Sequence, residues 1–165
     1  MAMRHTAEET LARMRKNWPK AITPIAEVLL RVYRLNDLAR ANAQKQVSRH
    51  GLNLTDFAVL ATLRGLPPPC ELTPTQLYSA VLISSGGLTK VLYGLERRGL
   101  ISRVADDKDR RSRRVRLTPA GRALTERTLA TLQASGDELF GSGISASEMA
   151  RLASLLRKVL LAVER

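Results

Sequence analysis

The stretch "ISSGGLTKVLYGLERRGL", Ile83 to Leu100, decides how the chain is read. Leu88, Val91, Leu92 and Leu95 recur at i, i+3, i+4 and i+7, the spacing of one buried helix face, and Gly99 supplies the stop. The head of the segment runs against that pattern. Two serines and two glycines stand there, and a glycine in a helix interior costs roughly 1 kcal/mol relative to alanine. A flexible linker, a phosphate-cradling loop or a helix that must approach another molecule closely would each use such bare backbone.

The flanking sequence narrows the choice. In "LTPTQL", Leu72 to Leu77, the Thr73 hydroxyl can cap a helix opening with Pro74, and Gln76 completes the capping box; this helix is expected to end near Ala80. Before it, "LPPPC" breaks the chain, and Thr55 is the expected cap of "DFAVLATLR", a short apolar helix ending at Gly65. Further upstream, Ile25, Val28, Leu29, Val32, Leu35 and Leu38 form one apolar stripe on a helix starting near Pro24 and stopped by Gly51. This stripe is a core or partner seam. Residues 7 to 17 predict a short helix that stops at Trp18-Pro19.

Downstream, "LISRV" and "RRVRLT" flank the polar "ADDKDRRS" and predict the chain's one β-hairpin. Val115 and Leu117 alternate with Arg114 and Arg116, so one face can be buried while the other is cationic. Two helices complete the chain. One opens at Pro119 under a Thr118 cap, with Leu124 and Leu129 to Leu132 on its face. The other opens with a Ser145–Glu148 capping box and carries Met149, Leu152, Leu156, Val159 and Leu160. The expected fold is mainly α with a small β-hairpin wing, a winged helix-turn-helix. Residues 51–118 form the winged lobe, flanked by helices within residues 1–50 and 119–165.

Charge agrees with that order of elements. The chain carries 27 Lys and Arg against 15 Asp and Glu, a net of +12, which calls for a polyanionic partner. Between Glu96 and Arg122 stand ten basic residues and four acids, a net of +6, so half the excess lies where a wing would face phosphates. A single cysteine, Cys70, excludes an intramolecular disulfide and any multi-cysteine metal site. No signal peptide and no apolar run of about 18 residues is present, so the expected setting is cytoplasmic, with no membrane partner.

From "LTPTQL" through "SSGGLTKVLYGLERRGLISRVADDKDRRSRRVRLTPAGRAL" the chain resembles the MarR family of transcriptional regulators. Independent marks coincide: a short helix, a recognition helix, the "LExxGLI" joint as "LERRGLI", a wing with Asp-Arg-Arg, and the "LTPxG" entry to the next helix. The resemblance implies a homodimer joined by interleaved terminal helices, with residues 1–50 supplying dimerisation and part of a ligand pocket and residues 119–165 supplying further dimerisation helices. It implies a ligand-responsive factor, most often a repressor, on a pseudo-palindromic duplex operator. It also implies DNA contacts from Ser84, Ser85, Gly87, Thr89, Lys90 and Tyr93, and a wing motif at Asp109-Arg110-Arg111. In that motif an arginine enters the minor groove, here Arg111, and the aspartate steadies its guanidinium. Lys108 and Arg113 are expected on phosphates, with Thr73 and Thr75 placing the first helix on the backbone.

The N-terminal helix ending in Trp, with "SSGG" and "FxVLATLR", is similar to the urate-responsive subgroup of that family. That similarity implies a ligand pocket touched by Trp18, Phe57 and Ala58. The chain departs from the subgroup where Ala58 replaces an acidic residue and Val91 stands near an arginine position. These departures point away from urate toward an aromatic effector such as a phenolic acid or its coenzyme A thioester.

Plainer roles stand beside each of these. Thr89 and Lys90 could be a solvated helix face, some wing arginines could be solubilising charge on an edge hairpin, and Trp18 could be a core or interface anchor. Cys70 follows three prolines with no Lys, Arg or His close in sequence, and reads as an ordinary thiol. His5 and His50 stand apart, so neither a metal nor another cofactor is expected. An enzyme finds no support, since "GxSxG" and "HExxH" are absent and "SGGLTK" lacks the spacing of a phosphate-binding loop. A membrane-surface protein would need a long basic amphipathic helix, whereas the strongest charge cluster is a hairpin. A constitutive architectural DNA binder without effector remains the alternative within the same class.

Overall fold

The computed structural model describes residues 6–81, 87–105, 113–141 and 143–164, and the chain divides into two compact units, residues 1–43 and 44–165. In the first unit, helix α1 (Ala7–Asn17) opens on a capping box between Thr6 and Glu9 and ends at Trp18. A 3-10 turn, Pro19–Ala21, follows, and then the long helix α2 (Pro24–Ser48), whose last turn belongs to the second unit. Arg31 pairs with Glu8 at 2.9 Å and with Glu27 at 3.3 Å, and Arg15 also pairs with Glu27. The Glu27 carboxyl is thereby held below its ordinary range, chiefly by the Arg15 and Arg31 hydrogen bonds. The apolar stripe of α2 faces solvent: Ile25 is 71% exposed and Val28 54%.

The second unit is built around α3 (Leu54–Arg64), whose Val59, Leu60 and Leu63 are fully buried. The expected cap is corrected here. Asn53, and not Thr55, caps α3: its side chain accepts from the Asp56 amide at 2.8 Å, and Asp56 returns the bond. An Asn–Asp pair satisfies two free N–H groups as a Thr–Gln pair does, and it starts the helix one turn before Phe57.

Strand β1 (Glu71–Leu72), helix α4 (Pro74–Ala80), helix α5 (Leu88–Arg97) and strands β2 (Ile101–Ala105) and β3 (Arg113–Leu117) follow. The sheet runs β1-β3-β2, antiparallel throughout, with Glu71 opposite Arg116 and Arg103 opposite Val115. The hairpin was expected to be the chain's one β element; β1 adds a third strand. Two residues are too few for a period-2 signal, and the Leu117 amide donating to the Cys70 carbonyl at 3.1 Å extends the pairing. Val115 lies at the centre, fully buried with Leu92, Leu95, Ile101 and Leu77.

Helix α6 (Pro119–Phe140) is capped by Thr118, as expected, but its buried side runs through Gly121, Thr125 and Thr128. Leu124 and Leu132 pack on the core, whereas Leu129 is exposed. The buried threonines return their hydroxyls to the helix, to Gly121 O at 2.7 Å and Leu124 O at 2.8 Å, so no donor is stranded. Helix α7 (Ala146–Val163) opens on the Ser145–Glu148 box and buries none of its described side chains; Leu152, Leu155, Leu156, Val159 and Leu160 all face solvent.

Candidate nucleic-acid interface

Helix α4 opens as a capping box: Thr73 Oγ1 accepts from the Gln76 amide at 3.2 Å while Gln76 Oε1 accepts from the Thr73 amide at 3.0 Å. This orders the turn that carries Thr73 and the exposed Thr75. Leu77 anchors the helix, fully buried in the core.

Helix α5 is divided sharply. Leu92 and Leu95 are buried and Leu88 and Val91 pack on the core. The opposite side carries exposed Thr89, Lys90, Tyr93 and Arg97. Lys90, Tyr93 and Arg97 are spaced i, i+3, i+7 and so share one face. The Arg97 guanidinium lies over the Tyr93 ring, 5.7 Å from its centroid, which orders two long side chains at the outer surface of the helix. Arg97 is absent from the contacts that the family resemblance implied. The i, i+4 spacing of an aromatic and an arginine was the signal that could have found it.

Gly87 is the N-cap of α5, in an ordinary right-handed conformation (φ −111°, ψ −16°) with no side-chain cap. A Cβ built there meets nothing within 4 Å. Among the described residues, therefore, neither backbone conformation nor packing requires a glycine at this position. Ser84 and Ser85, expected as DNA contacts, lie outside the described residues, as do Lys108, Asp109, Arg110 and Arg111 of the wing.

The base of the wing is described, and its charge is less free than the sequence suggests. Arg113 is exposed at the start of β3, opposite Ala105. Arg103 pairs with Glu96 of α5 at 3.2 Å. Arg114 and Arg116 both turn to Glu71: Arg116 Nε donates to Oε2 at 2.8 Å, and Arg114 Nε lies 3.0 Å from Oε1, off the line of a hydrogen bond. At the joint, Arg98 reaches Asp56 at 3.7 Å, and Thr118 Oγ1 donates to the Gly99 carbonyl at 2.7 Å. These contacts lock α5, the wing and α6 to one frame.

Trp18, at the end of α1, is 64% exposed, while Phe57 and Ala58 pack against the core of the second unit. Among the described residues, an open groove of about 390 Å³ lies between α1 and α2, lined by Thr10, Tyr33, Arg34 and Asp37 among others, and another of about 460 Å³ lies between the end of α2 and α6. Trp18, Phe57 and Ala58 line neither. Gln46, almost fully buried beside the second groove, donates to Ser135 and accepts from Arg49. Cys70 is buried at φ +57°, and Arg122, distant in sequence, approaches its Sγ at 3.5 Å. Among the described residues no His, Cys, Asp and Glu cluster could hold a metal, and no helix is long and apolar enough to cross a membrane.

A cored helix with an exposed cationic and aromatic face, preceded by a short capped helix and followed by a basic hairpin, is the frame of a winged-helix DNA reader. Comparison with known proteins gives the same frame. The model of the MarR family matches residues 50–112. The HTH-type transcriptional regulator PecS of Dickeya dadantii is 34% identical over 70% of this chain and 69% of its own. A MarR-family regulator from Silicibacter pomeroyi superposes with a TM-score of 0.69 at 30% identity, covering 87% of this chain and 94% of that one. Bordetella bronchiseptica BpsR, whose DNA binding is regulated by 6-hydroxynicotinic acid, does so with a TM-score of 0.66 at 27% identity, covering 84% and 94%. The chain belongs to the MarR family of winged-helix, DNA-binding transcriptional regulators.

Proposed function

We propose that the protein is a homodimeric repressor that binds a pseudo-palindromic operator and is released from it by a small aromatic acid or its acyl thioester. The observation that carries this reading is the outward face of α5. Its Thr89, Lys90, Tyr93 and Arg97 are held on a helix whose opposite face is core. In the major groove such a face reads base edges and phosphates, Thr73 and Thr75 set α4 on the backbone, and the wing, led by Arg111, enters the adjacent minor groove. Residues 51–118 do the reading in this scheme. Ser84, Ser85 and Gly87 form the approach to the helix, and Lys108, Asp109, Arg110 and Arg113 surround Arg111.

Dimerisation is supported by two exposed apolar rows, one on α2 and one on α7. Leu152, Leu155, Leu156, Val159 and Leu160 on a single helix are more apolar surface than a soluble monomer ordinarily leaves in water. Covering it with a second copy recovers about 25 cal/mol per Å². The effector class is supported by BpsR, which responds to an aromatic acid. An effector acts here only through unequal affinity for the DNA-competent state and its alternative.

Selection of bound duplexes from a randomised pool tests the reading. An inverted repeat with half-sites about one helical turn, roughly 34 Å, apart is expected, and at least one member of a panel of aromatic acids and thioesters should release it and raise the thermal midpoint. A repeat without two-fold symmetry would remove the dimer scheme. Binding that no member of the panel shifts would favour a constitutive binder.

A further inference from the structure

We infer that Glu71 is a specificity-determining and positioning residue: its carboxylate occupies two wing arginines in the place of a DNA phosphate. The inference rests on the reading of α4, α5 and the wing as the DNA-facing surface. Arg114 and Arg116 are two residues apart on β3 and so share one face of the sheet. Glu71 stands directly opposite Arg116 on β1. Each of its oxygens is engaged, Oε2 by Arg116 at 2.8 Å and Oε1 by Arg114 at 3.0 Å. The carboxylate is largely sheltered, with 16% of its side chain accessible, while the arginines retain 27% and 43%. They are therefore near enough to the surface to turn outward if released.

A guanidinium engages a carboxylate and a phosphate through the same planar fork of donors. Whatever Glu71 holds is withheld from the backbone of any duplex that the wing meets. Phosphate contacts carry no sequence information and supply nearly all non-specific affinity. Removing two of them from the wing base lowers binding to random DNA, while base readout by α5 is left in place. The same clamp ties the hairpin to β1, two residues before the Thr73 cap of α4, so it also sets the wing against the first helix of the reading pair.

The test measures binding of the full-length chain to a non-specific duplex by fluorescence anisotropy over a range of salt concentrations, with thermal melting as a check on folding. In wild type, log K falls steeply with log[salt]. In Glu71→Gln the slope steepens by about one unit for Arg116 and by up to about two if Arg114 is also released, and affinity at 0.15 M salt rises about fivefold or more. The ratio of operator to non-specific affinity falls. Adding Arg114→Gln and Arg116→Gln to that variant returns the slope to the wild-type value, and Glu164→Gln, which removes the same charge at the end of α7, leaves it unchanged. Arg114→Gln/Arg116→Gln with Glu71 intact also leaves the slope unchanged, because both side chains are already occupied, and this pair keeps the test decisive should Glu71→Gln not fold. A Glu71→Gln slope equal to wild type, or a lower slope in the double variant, overturns the inference alone. A flat wild-type response removes the interface reading beneath it.

Discussion

The guanidinium of Arg97 lies over the ring of Tyr93, one turn earlier on α5, with 5.7 Å from Cζ to the ring centroid. Both side chains are exposed, so the contact adds little to the core; it orders the outer surface of the helix in advance of any partner. An ordered arginine loses less side-chain entropy when it meets a phosphate than a free one does.

Replacing Arg97 by alanine should therefore weaken operator binding by about threefold to tenfold, with little change in thermal midpoint. Arg97→Lys keeps the charge but not the planar stack, and should recover only part of the loss. Equal affinities for all three proteins, measured by anisotropy at one salt concentration, would place Arg97 outside the interface.

Arg111 is the residue on which the wing's groove contact is staked. Arg111→Ala should reduce operator affinity by about tenfold to a hundredfold, the cost of one specific contact, while the oligomeric state and melting curve stay as in wild type. Unchanged affinity would take the wing out of the mechanism.

Gly121 tests the joint between α5, the wing and α6. A Cβ at this position would stand 2.0 Å from the Leu100 carbonyl oxygen and 2.9 Å from Leu117 Cδ1. Backbone is the obstacle, so α6 must shift. Gly121→Ala should destabilise the fold by about 3 kcal/mol, lowering the thermal midpoint, whereas Gly87→Ala, whose added Cβ meets nothing, should leave it nearly unchanged.

The Ser145–Glu148 box predicts a pH response confined to α7. Hydrogen bonds from the Ser145 hydroxyl, then from its backbone N–H, hold the Glu148 carboxyl below its ordinary value of 4.5. A carboxyl depressed in the folded state stabilises fully above that ordinary value and loses its contribution as pH falls through the lower, folded one. The protection of amides at the first turn of α7, relative to their intrinsic exchange rates, should therefore fall below about pH 4.5 in wild type. Glu148→Gln, which keeps an acceptor but no titrating group, should lack that component.

Much of this architecture was legible in sequence because it is local. Helix α1 spans Ala7–Asn17 as the Trp-Pro stop implied, and the boxes at Thr73–Gln76 and Ser145–Glu148 form as their spacing implied. A cap or an i, i+4 face needs only residues within a turn of one another, so the chain writes it out in order. The cap of α3 was misplaced for a related reason: Asn53 and Thr55 are both good caps, and the reciprocal bond to Asp56 decides between them.

What the tertiary structure decided is how the charge is spent. The sequence by itself determined a helical, strongly basic chain with an apolar–cationic alternation in β3 and a DNA-reading order of elements. It could not show that Arg116 meets Glu71 across 45 positions, that β1 exists to bring Glu71 there, or that Arg122 comes up against Cys70 across 52. Such pairings depend on strand register and on where helices dock, which the buried apolar residues settle together once the core closes. Of the basic residues counted around the wing, several are consequently held by acids, and the exposed row on α5 carries more of the case for an interface than the net charge does.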